Sequence, residues 1–179
     1  KMEAIFNFLP DPTFFVNADG VVTMWNRAIE DLTGVKVREI LGKGNREYSR
    51  VFYGNRRPML IDLALEGREV DMDEEIIVIR HGERVLETES VMPNNGDNLQ
   101  YLNGKSSPLY DHNGILLGAI ESLRDTTESK RAQWALQQSE EKYRGILESI
   151  EDGYFEVDHL GRMQFFNPHL IHVLGYEPD

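Results

Sequence analysis

The chain has 179 residues, 40% of them hydrophobic and 28% charged, enough for one good core or two small ones. Its formal charge of −12 argues against a nucleic-acid partner, because phosphate neutralisation needs a clustered positive surface. Cysteine is absent, which removes disulfides, thiolate zinc sites, cysteine nucleophiles and cysteine-attached cofactors. No apolar run approaches the ~20 residues of a membrane span, so the expectation is a cytoplasmic module with no membrane segment in this chain, whose parent can still be membrane-attached.

Thr13 to Asn17 and Val21 to Trp25 are β-type runs separated by the turn residues Ala18-Asp19-Gly20, which predicts a hairpin. Asn26 follows and is placed to cap a helix with Ala28, Ile29 and Leu32 on its apolar face, ending at Gly34. A second short helix is predicted over Val37 to Leu41. A third begins near Pro58, with Met59, Leu60, Leu63 and Ala64 on its apolar face and Gly67 at its stop. Strand candidates then occupy Glu75 to Arg80, Val85 to Met92, Leu99 to Leu109 and Ile115 to Leu123, separated by His81-Gly82, Asn94-Asn95-Gly96 and His112-Asn113-Gly114. The pattern predicts an α+β fold with a mostly antiparallel sheet.

After Asp125 the composition changes to a long polar helix from Glu128 to about Ile150, with Thr126 or Thr127 as its predicted N-cap. Ala132, Leu136, Ser139, Tyr143, Ile146 and Ile150 alternate spacings of four and three, the pattern of a short coiled-coil seam. The helix is either a transmission rod or a passive spacer. A shift of 141 residues then aligns the opening hairpin and helix with the end of the chain. Ile5, Asp11, Phe14, Val16, Gly20, Asn26 and Gly34 fall on Ile146, Asp152, Phe155, Val157, Gly161, Asn167 and Gly175.

The segments DPTFFVNADGVVTMWN and DGYFEVDHLGRMQFFN resemble the first two strands of the PAS fold, ending in the Asn that caps the next helix. SSPLYDHNGILLGAIESLRDTT resembles its last two strands, and Asp125-Thr126-Thr127 is similar to the Asp-(Ile/Val)-Thr motif at the PAS exit, with Thr126 where an aliphatic residue is usual. The resemblance implies a five-stranded antiparallel sheet with short helices around a pocket in residues 1–125, a signalling helix in 126–150, and the N-terminal part of a second PAS domain in 151–179. Residues 73 to 109 offer three strand candidates where that fold needs two; Val85 to Met92 and Leu99 to Leu109 are taken as the core pair. A lone hairpin with a helix is marginal in water, so the second copy is expected to pack on another chain or to continue in a longer one.

The resemblance also directs the search for chemistry. Flavin attached to a cysteine is excluded, and haem is not expected because residues 57 to 67 contain no His. Any cofactor is left as an unidentified small organic ligand. Its apolar lining would come from Phe15, Trp25, Met59, Leu63 and Leu102. Its polar end would be Arg56 and Arg57, in a segment where arginines including Arg46 and Arg50 alternate with Tyr48, Phe52 and Tyr53. His81 and His112 fall in turns; His169 and His172, at i and i+3, lack a third ligand, so no metal is expected. No phosphate-binding, nucleophile-elbow or HExxH motif occurs, so no catalytic residue is assigned. The expected function is a sensory PAS module: a homodimer along Leu136, Tyr143, Ile146 and Ile150, with output through Asp125, Thr126 and Thr127 to a downstream effector in the parent chain. By resemblance that effector is a histidine kinase most commonly, or a diguanylate cyclase or transcription activator. The rival reading is a ligand-free structural dimerisation module.

Overall fold

The computed structural model describes residues 2–67, 77–82, 84–93 and 99–175, and the chain divides into two compact units, 1–128 and 129–179. In the first unit, α1 (Met2–Asn7) leads into the hairpin β1 (Thr13–Asn17) and β2 (Val22–Trp25). The Asn17 side chain forms the turn, accepting hydrogen bonds from the backbone N–H groups of Asp19 and Val21. Four short helices follow: α2 (Arg27–Thr33), α3 (Val37–Ile40), α4 (Glu47–Tyr53) and α5 (Leu60–Glu66). The chain then runs through β3 (Val78–His81), β4 (Val85–Pro93), β5 (Leu99–Tyr110) and β6 (Leu116–Asp125).

The sheet is antiparallel, in the order β2-β1-β6-β5-β4-β3. It has six strands where the family pattern has five, because residues 78–81 pair with residues 85–88 and extend the edge. Val78 and Ile79 supply the β-branched character that favours this pairing. Residues 75 and 76 of that strand candidate, and the Asn94-Asn95-Gly96 turn, lie outside the described residues. Between β1 and β6, Gly118 stands opposite Asn17, and a Cβ there would come within 2.0 Å of the Val16 carbonyl oxygen. Only glycine allows the two strands to approach so closely.

One face of the sheet packs on the helices. Phe14, Val16, Trp25, Ile29, Tyr48, Phe52, Ile61, Leu63, Leu86, Ala119 and Leu123 form a continuous buried cluster. The Phe14 ring lies 5.5 Å from Trp25 and 5.4 Å from Tyr48, both tilted, the arrangement that adds to simple area burial. One expectation needs correction, and one helix was not anticipated. Pro58 stands two residues before α5 instead of in its first turn, because the Asp62 carboxylate accepts from the Met59 N–H at 2.7 Å and sets the helix start. Helix α4, which a run of arginines disguised, buries Tyr48, Ser49 and Phe52.

The long helix α6 (Thr127–Ser149) has 23 residues, none buried. In the second unit its end leads to β7 (Phe155–Val157), β8 (Met163–Phe166) and α7 (Pro168–Leu174). The register of this hairpin, Phe155 with Phe166 and Val157 with Met163, repeats that of Phe14 with Trp25 and Val16 with Val22. The same bulge follows the second strand residue pair in both.

Candidate functional site: a buried carboxyl and the exit joint

The sequence points to two regions, the core beneath α5 and the joint where β6 becomes α6. In the core, a cavity of about 20 Å³ lies between α4, α5 and the inner faces of β4, β5 and β6. That is room for a single water molecule. Of the seven residues expected to line it, Met59 and Leu102 do so. Leu63 is buried in the surrounding core, and Trp25 packs on Phe14 while its indole N–H donates to the Val35 carbonyl at 3.1 Å. Phe15 alternates with the inward Phe14 and Val16, and its ring meets Gly118 instead of the cavity.

The arginines also lie elsewhere. Arg56 holds the Glu47 carboxylate with two nitrogens, at 3.0 and 2.6 Å, which together with Arg50 lowers the Glu47 pKa. Arg57 stacks over the Tyr53 ring, 3.5 Å from its centroid. Arg46 reaches inward, donating to Asp62 at 3.0 Å, and the Tyr48 hydroxyl donates to the same Asp62 oxygen at 2.7 Å. Burial, reinforced by the Asp62 charge, pushes the Tyr48 pKa up, so this hydroxyl stays a donor.

The polar group that does line the cavity is Glu121, which sequence reading missed. It lies on β6 between Ala119 and Leu123, both buried, so strand alternation already placed it inward. Glu121 is 2% exposed, and its Oε2 accepts from the Ile61 N–H at 2.7 Å. Its Oε1 makes no hydrogen bond among the described residues and keeps a little accessible surface. Gly104 on the neighbouring strand lies beside that oxygen: a Cβ there would be in ordinary contact with it at 3.6 Å and would press on the Leu123 side chain at 3.3 Å. Burial drives the carboxyl pKa up to about 8; the Ile61 hydrogen bond opposes the shift and the Asp62 charge adds to it. At neutral pH Glu121 is therefore mainly the neutral acid.

At the exit, Asp125 accepts from the Thr127 N–H at 2.9 Å and so supplies the cap of α6. The two threonines expected as caps bridge instead to β5. The Thr126 N–H and hydroxyl both donate to the Tyr101 carbonyl, at 2.8 and 3.2 Å, and the Tyr101 N–H donates to the Thr127 hydroxyl at 2.9 Å. Gln100 adds a fourth link to β5 by donating to Asp125 at 2.7 Å. The entry has its own joint. Asn26, fully buried, accepts from the N–H groups of Thr13 and Ile29, both at 3.0 Å, and donates to the carbonyls of Leu9 and Asp11. Asn167 makes the equivalent contacts in the second unit, accepting from Tyr154 and Leu170 and donating to Ile150 and Asp152. Along α6, the seam residues Leu136, Tyr143 and Ile146 are 62%, 67% and 48% exposed. Among the described residues no group of three or more His, Cys, Asp or Glu is placed to hold a metal, and no helix is long and apolar enough to cross a membrane.

Comparison with known proteins agrees with this architecture. A family model described as PAS fold matches residues 6–131, and a second, described as PAS domain, matches residues 141–179. No curated protein matches the chain. Among solved structures, an RNA-binding Light-Oxygen-Voltage receptor is similar over 80% of this chain and 38% of its own, at 16% identity and a TM-score of 0.51. The PAS domain of Bordetella pertussis BvgS is similar over 78% of this chain and 95% of its own, at 18% identity and a TM-score of 0.48. The PAS domain of the histidine kinase ThkA is similar over 65% of this chain and all of its own, at 20% identity and a TM-score of 0.39. With the matched model spanning the hairpin, the cavity and the exit joint, the chain belongs to the PAS family.

Proposed function

We propose that this chain is the input and relay section of a signal-transduction protein: a small ligand in the core cavity shifts the sheet, and α6 carries the shift to a downstream effector such as a histidine kinase. The observation that supports this reading is the exit joint. Four hydrogen bonds tie Asp125, Thr126 and Thr127 to Gln100 and Tyr101. The next residue along β5 after Tyr101 is Leu102, which lines the cavity. A displacement of β5 at the cavity therefore reaches the first turn of α6 through a short, polar, directional linkage rather than through a loop. A ligand acts on this joint only by the difference between its affinities for the two positions of the helix.

A second reading, a structural dimerisation module without a ligand, is favoured by the small size of the cavity, about 20 Å³ against the several hundred of ordinary ligand sites. Native mass spectrometry of the purified chain separates the two. Extra mass retained per chain supports the sensor; bare dimers support the structural module. The relay is tested separately by Thr127→Val, which removes the hydroxyl that accepts from Tyr101. Amide exchange is expected to quicken both at Tyr101 and in the first turn of α6, with Leu86 in β4 unchanged. Faster exchange at Tyr101 alone would show that the helix is not coupled to the strand through this joint.

A further inference from the structure

The cavity has an uneven chemistry. Its walls are Phe52, Met59, Met92, Leu102 and other apolar side chains, and its oxygen-bearing residues include Glu121, Thr88 and Ser90. Among the described residues no Lys, Arg or His lines it. Thr88 donates its hydroxyl proton to the Ile77 carbonyl at 2.9 Å, which leaves the oxygen to act as an acceptor. Glu121 is fixed by Ile61 through one oxygen and offers the other. The nearby Asp62 charge makes the local field negative, and the cation that balances Asp62, Arg46, reaches it from outside the cavity.

A glutamine at position 121 would accept the same hydrogen bond from Ile61 without carrying an ionisable group into the core. A carboxyl this deep in the core, with one oxygen bound to Ile61 and the other making no hydrogen bond, is a costly choice for structure alone. It is a suitable choice for a group that brings its own positive charge, because a charge-assisted hydrogen bond is roughly twice as strong as a neutral one.

We propose that the core cavity takes a small primary amine with an apolar body, its ammonium group held by Glu121 and its body lying along Met59, Met92 and Phe52. This rests on the reading of the cavity as a ligand site. On binding, an ammonium meets the neutral acid, Glu121 gives up its proton to solvent, and the pair carries no net charge. The water-sized space receives the head group, and the two methionines, flexible and unbranched, are the walls that yield to the body.

Butylamine, butanol and butyrate share one tail and differ in the head, so they are the probes, used with the full chain at pH 7.5. Binding is read from the Ile61 amide resonance, adjacent to Glu121, and from the melting temperature. Butylamine is expected to move both, with an affinity roughly tenfold above that of butanol. Glu121→Gln, which keeps the Ile61 bond, is expected to remove that preference. Butanol binding as well as butylamine, butyrate binding better, or a preference that survives Glu121→Gln would overturn the amine assignment and leave the ligand site standing. If no probe moves the Ile61 resonance, the amine assignment and the reading of the cavity as a ligand site fall together.

Discussion

Glu121 couples the stability of the first unit to pH. An ordinary carboxyl titrates near 4.5, and burial raises this one to about 8. Its folded pKa lies above its unfolded one, so its contribution is fully favourable below pH 4.5 and is lost as pH rises through 8. Between those limits the unfolded chain releases a proton that the folded chain retains, and stability falls by up to about 1.4 kcal/mol per pH unit from this group. Among the described residues the groups facing it do not offset this: the Asp62 charge on α5 is of the same sign, and no basic side chain lines the cavity. Glu121→Gln should therefore melt close to the parent at pH 5 and clearly above it at pH 8. Equal melting temperatures at pH 8 would mean that the carboxyl is solvated or paired in solution. Asp62 presents the opposite case, a buried acid answered by Arg46, Tyr48 and the Met59 N–H. Removing it with Asp62→Ala leaves the Tyr48 hydroxyl and the Met59 N–H without an acceptor and Arg46 with Glu66 as its remaining partner, and should cost about 3–5 kcal/mol, read by urea denaturation.

At the scale of elements, the two entry joints show which parts of a fold a sequence makes legible. Asn26 stands after an alternating run and before an apolar helical face, so both its position and its capping role follow from local pattern, and the repeat at Asn167 doubles the signal. The expected caps were made: Asn26 accepts from Ile29 and Asn167 from Leu170. The remaining bonds of these asparagines were not legible, because they join residues that meet only after the chain returns. Asn26→Ala strands the Thr13 and Ile29 N–H groups in the interior and should destabilise the first unit by about 2–4 kcal/mol, combining cap loss with an unsatisfied donor. Asn26→Ser, which restores an acceptor for Ile29, should recover part of it; equal losses for the two variants would assign the effect to the Leu9 and Asp11 contacts. Helix α4 was hidden for a different reason. Seven residues are too few for a clear period, and Arg50 and Tyr53 break the look of an apolar face that consists of Tyr48, Ser49 and Phe52. The arginines attracted an anion-binding reading because the carboxylates that pair with them, Glu47 for Arg56 and Asp62 for Arg46, are supplied by the fold. Glu121 was passed over because an acidic chain offers many carboxylates; its place between Ala119 and Leu123 on a strand was the available signal.

For the whole molecule, the question is what α6 does with its exposed side chains. The 23 residues of α6 bury none of their side chains, whereas most helical stability in proteins comes from packing an amphipathic face. The apolar stripe of α6 is the seam of Leu136, Tyr143 and Ile146, with Ala132 and Ser139 completing the alternation; Ile150, the last residue expected in the seam, stands one residue past the helix end, where its carbonyl accepts from Asn167. A second copy of the same helix offers the matching stripe without any further assumption about partners. Each large apolar side chain that such a pairing buries contributes about 1.5–3 kcal/mol, and a dimer would bury the set from both chains. Leu136→Glu with Ile146→Glu places four like charges in the seam of a pair. If α6 pairs with a second copy, light scattering is expected to give a dimer for the parent and a monomer for the double variant. Neither residue belongs to the buried cluster of the first unit, so that unit should melt at an unchanged temperature. A mass that does not change on substitution would remove the seam from the relay, and would leave the exit joint at Tyr101 to act within a single chain.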